Sequence, residues 1–106
     1  MVQVIDLRAD AGWVGLVERL RDALASELGD LVIRMIALPS PSERIYDSNL
    51  LIVVRDDSGE TVERIMDAIL RVEGSAGVEG IISPLIVTES ERRIIEGFRG
   101  LEVVCE

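Results

Sequence analysis

Between Trp13 and Leu28 the apolar positions recur at helical spacing. Trp13, Leu16, Val17, Leu20, Ala23, Leu24 and Leu28 form one stripe, and Glu18, Arg19, Arg21, Asp22 and Glu27 cover the other face. The pattern predicts a helix over Ala11–Leu28, with Asp10 as N-cap and Gly29 as its stop. Leu31–Leu38 follows, aliphatic except for Arg34, and reads as a central strand apolar on both faces. Pro39-Ser40-Pro41-Ser42 is a loop, because two prolines remove two backbone donors. Asn49–Val54 is a second aliphatic strand. Asp57 and Glu60 resemble a capping box, and Val62, Ile65, Met66, Ile69 and Leu70 make a second helical stripe. Gly74, Gly77 and Gly80 punctuate a loop.

Ile81–Val87 predicts a third strand, in which Pro84 requires a bulge or an edge position. Thr88 and Glu91 form another capping pair before a short helix near Glu89–Glu96, ended by Gly97. Leu101–Cys105 adds a terminal strand. At the start, Val2, Val4 and Leu7 alternate with Gln3, Asp6 and Arg8, a short strand or an extended lead-in. The expected fold is α+β: a mixed β-sheet with one layer of helices packed on it. If Val2–Leu7 is a strand, the order becomes βαββαβ, the ferredoxin-like arrangement. No linker or repeat interrupts the chain, so residues 1–106 are expected to form one domain.

Composition then removes whole classes of chemistry. The 106 residues hold no histidine and no lysine, and one cysteine, Cys105. Histidine-based triads, Schiff bases, a Walker lysine and thiolate zinc sites are therefore excluded. Twenty acidic residues against 11 basic ones, all arginine, give a net charge of -9. That balance argues against general nucleic-acid binding, which needs a basic footprint. The longest apolar run, Leu50–Val54, is far short of the ~20 residues of a membrane helix. Met1–Arg8 lacks a signal-peptide core. A cytoplasmic protein without a membrane partner is expected. The lysine-free, Arg/Glu-rich, aliphatic composition is thermophile-like. A mean hydropathy of +0.31, high for a chain with 29% charged residues, predicts a homodimer or a stable partner, with Ile81–Val87 and Leu101–Val104 contributing.

The segment Leu31–Asp57 resembles the core of a minimal nucleotidyltransferase domain of the polymerase-beta superfamily. The family pattern is a helix, an aliphatic strand ending in Gly-Ser, a short loop, and Asp-aliphatic-Asp opening a second aliphatic strand. Leu28-Gly29-Asp30 with the strand to Leu38 is similar to the first part, and Leu50–Val54 with Arg55-Asp56-Asp57 to the second. Ile82–Glu91 is similar to the third strand and the acidic start of the last helix.

The resemblance implies a nucleotide and magnesium site only where its motif residues survive. Pro39-Ser40 stands in place of Gly-Ser, which leaves Ser40 as the candidate phosphate-binding residue but removes an amide donor beside it. Two registers fit the Asp pair. In the preferred one, Asp47-Ser48-Asn49 lies on the motif, because five aliphatics then follow. Asp47 is then the candidate catalytic and metal residue, with Asn49 as second metal ligand. In the other, Asn49 and Leu51 replace both aspartates. The third carboxylate is absent, since Ile82, Pro84 and Ile86 alternate with Ser83, Leu85 and Val87.

Nucleotidyl transfer needs two magnesium ions ~3.5–4 Å apart, held by carboxylates that alternate along a strand. One aspartate and one asparagine are too few. No cofactor is therefore expected, and magnesium and nucleotide enter only if activity is retained. The resemblance implies a catalytically degenerate, antitoxin-like binding module, whose relatives often pair with a small helical partner of the HEPN type. The alternatives are a weak metal-dependent nucleotidyltransferase working through Asp47, and a small ferredoxin-like regulatory domain. The ordinary reading of Asp47 is a turn residue, and of Asn49 a strand start.

Overall fold

The computed structural model describes residues 11–98 and 101–103. Val2–Leu7, the Asp10 cap and Cys105 lie outside them. Helix α1 spans Ala11–Leu28 and buries Trp13, Leu16, Val17, Leu20, Leu24 and Leu28, the stripe its spacing predicts. Gly29 turns out of it at φ 58°, a conformation open to glycine at no steric cost, into a 3-10 turn over Gly29–Leu31. Strand β1 is Val32–Ala37 and β2 is Leu50–Val54. They pair antiparallel, with a bulge between Val32 and Arg34 that leaves Ile33 as the extra residue. The bulge explains how Val32 and Met35, three apart, share one face of the sheet.

Helix α2 covers Gly59–Ala76. Its cap is Ser58, whose hydroxyl accepts from the Thr61 N–H, rather than Asp57. Asp56 supports the cap by accepting from the Ser58 N–H, the Ser58 hydroxyl and the Thr61 hydroxyl. The helix also runs through Gly74, where the sequence pattern ends it. It closes at Gly77, which has φ 74°, with Gly77 N–H donating to Gly74 C=O and Val78 N–H to Glu73 C=O. These two bonds are a Schellman closure, and with the burial of Val72 and Glu73 they offset the ~1 kcal/mol cost of a glycine inside a helix. The buried face is Thr61, Ile65, Ala68, Ile69, Val72 and Glu73. Met66 and Leu70, expected in the core, are exposed.

Strand β3 is Pro84–Thr88 and lies parallel to β2, from Leu50 opposite Pro84 to Val54 opposite Thr88. Helix α3 is Arg92–Gly97, starting later than the Thr88–Glu91 pair predicts. Thr88 instead accepts from the Glu91 N–H in a turn, and its hydroxyl meets that of Ser90. Strand β4, Leu101–Val103, pairs antiparallel with β1. The fold is thus α+β, with a four-stranded mixed sheet in the order β3-β2-β1-β4.

Two layers of side chains hold the sheet. On one face, Met35, Ala37, Leu50, Ile52 and Val54 meet α1 and α2. On the other, Ile36, Leu38, Leu51, Val53 and Val87 meet Phe98 and the partly buried Ile94 and Ile95 of α3. A single helix layer is therefore replaced by helices on both faces. Phe98, one of the largest fully buried side chains, is the anchor of the second layer.

The ferredoxin-like alternative does not describe this sheet. It requires an N-terminal strand between Leu50–Val54 and Pro84–Thr88, and those strands are directly hydrogen-bonded neighbours. The physical reason is α2, which acts as the crossover of a parallel βαβ unit and delivers β3 to the free side of β2.

Candidate functional site

Because β1 and β2 run antiparallel and β3 runs with β2, one end of the sheet gathers the end of β1 and the starts of β2 and β3. The predicted site residues fall around this end. Leu38 N–H donates to Asn49 C=O, and Asn49 N–H to Ser83 C=O, each at 3.0 Å.

Asn49 is completely buried. Its Nδ2 donates to the carbonyls of Pro41 at 3.0 Å and Ile81 at 2.8 Å, and its Oδ1 accepts from Ser83 N–H at 2.9 Å. Two carbonyl acceptors and one N–H donor fix which way the amide points. Both amide hydrogens are used, so this side chain ties the Pro39–Ser42 loop and the approach to β3 onto the start of β2.

Asp47 is two residues away and in a different environment. Ile45 and Ser48 exchange both backbone hydrogen bonds, at 2.9 and 3.0 Å, around Tyr46 and Asp47, whose φ values are 54° and 61°. Two central residues at positive φ are the mark of a type I′ turn. Asp47 is exposed at its tip. The alternation that would aim positions 47 and 49 at one face exists only in extended backbone, and Asp47 is not in it. The structure therefore does not bring the two candidate ligands together as a strand pair. Tyr46, beside it, rests its hydroxyl against Gly97, where a Cβ would sit 3.0 Å away.

Ser40 lies half-buried in the proline loop, its hydroxyl 3.0 Å from that of Ser42, while its carbonyl accepts from Glu43 N–H. The Arg44 guanidinium donates to the Pro41 carbonyl, the same oxygen that Asn49 holds. Among the described residues, no three Asp, Glu or Cys side chains gather where they could hold a metal ion.

Two side chains at this end make hydrogen bonds that the sequence reading did not give them. Glu73, 3 % exposed, turns its carboxylate onto three successive backbone N–H groups: Gly80 at 3.4 Å, Ile81 at 2.9 Å and Ile82 at 2.8 Å. A buried acid fits here because the backbone of Gly80–Ile82 forms a small anion-binding concavity around it. The signal in the sequence is an acid at a core position of the α2 stripe, just before a glycine-rich turn. Trp13, read as core, is buried and also donates its indole N–H to the Leu38 carbonyl at 2.7 Å. An apolar cleft of about 300 Å³ opens beside these groups, lined by Trp13, Leu16, Pro41, Val78 and Ile81 among others. On the opposite face, a cleft of about 260 Å³ carries charge, with Arg34, Arg92, Glu89 and Glu96 around it.

No family model, curated protein or solved structure matches this chain. Among the described residues, no helix is long and apolar enough to cross a membrane. What the sheet end does chemically therefore rests on the groups just described. Its buried polar side chains, Asn49 and Glu73, are directed at the backbone, the adjoining cleft is mostly apolar, and the charged groups of Glu43, Arg44 and Asp47 lie exposed on the neighbouring loop and turn.

Proposed function

We propose that the chain is a nucleotidyltransferase-like domain with a degenerate catalytic centre, acting by binding as an antitoxin-like module with a small helical partner. The scaffold reading is supported by the adjacent antiparallel pair β1–β2 and by Leu38 and Asn49 meeting at one sheet end beside an open cleft. The degenerate reading is carried by one observation: the Asn49 amide donates both of its hydrogens to backbone carbonyls. A metal ligand at that position would have to present an oxygen to the ion, and here Oδ1 is buried and accepts from the Ser83 N–H. Asp47, alone on an exposed turn, offers one carboxylate where in-line nucleotidyl transfer needs several.

Calorimetric titration with ATP, with and without magnesium, and incorporation of labelled nucleotide into protein and RNA acceptors test this. The expected result is no metal-dependent incorporation and no strengthening of any ATP heat by magnesium. Incorporation that requires magnesium and is abolished by Asp47→Ala would overturn the degenerate reading and return Asp47 to a catalytic role.

A further inference from the structure

We propose that the backbone of Gly80–Ile82 is a binding nest for a small carboxylate. The intact chain fills it with its own Glu73, and it accepts an acetate ion from solution once that side chain is shortened to alanine. The proposal is independent of the nucleotidyltransferase-like reading.

The nest is made of main chain. Gly80 stands at φ 68°, in the left-handed region, and its N–H and those of Ile81 and Ile82 converge on one carboxylate. Successive N–H groups at such a turn form a concavity of positive potential. Both oxygens are used: Oε1 accepts from Gly80 at 3.4 Å, and Oε2 from Ile81 at 2.9 Å and Ile82 at 2.8 Å. That division suits a planar anion with two acceptor oxygens. A neutral amide brings one oxygen, and its NH2 would face an N–H, donor against donor. Among the described residues no arginine forms an ion pair with Glu73, so the backbone dipoles are its counter-charge.

The second observation is the route in. Glu73 and Ala76 stand three apart on α2 and share a face of it. Ala76, Val78 and Ile81 line the apolar cleft of about 300 Å³. Ile81 thus belongs both to the cleft wall and, through its N–H, to the nest. Shortening Glu73 to alanine removes one methylene carbon and the carboxylate, the heavy atoms of one acetate ion. It leaves a space of that shape beside the cleft.

The nest also has a task in the fold. Asn49 takes the Ile81 carbonyl and the Ser83 N–H, so it grips the segment whose N–H groups hold the anion. An anion in the nest therefore positions the approach to β3, and Glu73 supplies that anion without a ligand. The chain's excess of acidic residues opposes entry of a free anion, as does Glu79, exposed beside Gly80. Salt screens both. The nest is thus reserved for its internal carboxylate at low ionic strength, and open to an external one when Glu73 is cut back and the field is screened.

The test is rescue of Glu73→Ala by sodium acetate, compared with sodium chloride at equal ionic strength. Thermal unfolding and amide exchange at Ile81 and Ile82 are the readouts. An ion this small is expected to bind with a Kd on the order of 0.1 M. About 0.5 M acetate then raises the Tm of the variant by about 4–8 °C more than that of the parent, whose nest is already filled. Exchange at the two amides slows about sixfold, the factor by which the ligand depletes the open state. Acetamide has the size without the charge, and pivalate the charge without the fit; neither is expected to favour the variant over the parent. Equal shifts of variant and parent in acetate overturn the proposal, as does an equal rescue by acetamide or pivalate. If Glu73→Ala is unfolded at room temperature, folding in acetate but not in chloride supports the nest. Failure to fold in acetate where Glu73→Gln folds overturns it, because side-chain volume and one acceptor then account for the site.

Discussion

The loop and turn from Pro39 to Ser48, and the junction formed by Asn49, Glu73 and Gly80–Ser83, lie side by side and treat polar residues in opposite ways. In the first, Ser40, Glu43, Arg44 and Asp47 bond locally or face solvent. In the second, one amide and one carboxylate are withdrawn from water and satisfied by six contacts to backbone groups 7 to 34 residues away. Only Ser48 separates Asp47 from Asn49, yet one side chain faces solvent and the other is buried with a fixed structural duty. Residue type alone does not assign the role; the surroundings decide whether a polar atom is available to a ligand.

The strongest test of that contrast is Asn49→Asp. By motif logic it restores a carboxylate; by the structure it points an oxygen at the Pro41 and Ile81 carbonyls and strands a buried charge. The expected loss is about 4 kcal/mol or more, a large part of a typical domain's stability. Urea denaturation checks it, and a midpoint at or above the parent's would show that the amide network is not what holds this end together.

Glu73→Ala leaves the Ile81 and Ile82 N–H groups without their partner and is expected to cost about 3 kcal/mol. Glu73→Gln keeps one acceptor oxygen and should recover about half of that. Equal midpoints for the two variants would mean that the carboxylate contributes only through packing. Trp13→Phe retains most of the ring and removes the bond to the Leu38 carbonyl, for an expected 1–2 kcal/mol loss, on the order of 4–16 °C in Tm. Calorimetry measures this directly. In the exposed turn, Asp47→Gly meets no steric conflict at positive φ and should shift stability by less than about 0.5 kcal/mol. A larger loss there would mean that Asp47 has a partner the turn does not explain.

Much of the fold was legible before any coordinates. The 3.6-residue stripe of α1 and the aliphatic runs of β1 and β2 rest on local rules and appear at or within a residue or two of their expected bounds, whereas β3 begins at Pro84, three residues after the expected Ile81. The misses have a shared cause. Gly74 reads as a stop when only local propensity is weighed, but the Schellman closure and the burial of Val72 and Glu73 carry α2 past it. Met66 and Leu70 fit a stripe on paper, yet α2 is rotated so that Thr61, Ala68 and Val72 face the core instead. Phe98 passed unnoticed because it follows a short helix and joins no periodic pattern.

The sequence by itself determined most element types, the aliphatic core and the excluded chemistries, because each follows from residue identity, spacing or count. Only the tertiary structure decided the strand order, the absence of any gap between β2 and β3, and the roles of Asn49 and Glu73. Those depend on which distant backbone groups are left wanting a hydrogen bond. Pro41, Ile81 and Ser83 become partners of Asn49 only when three segments converge on one sheet end, and no local pattern encodes that convergence.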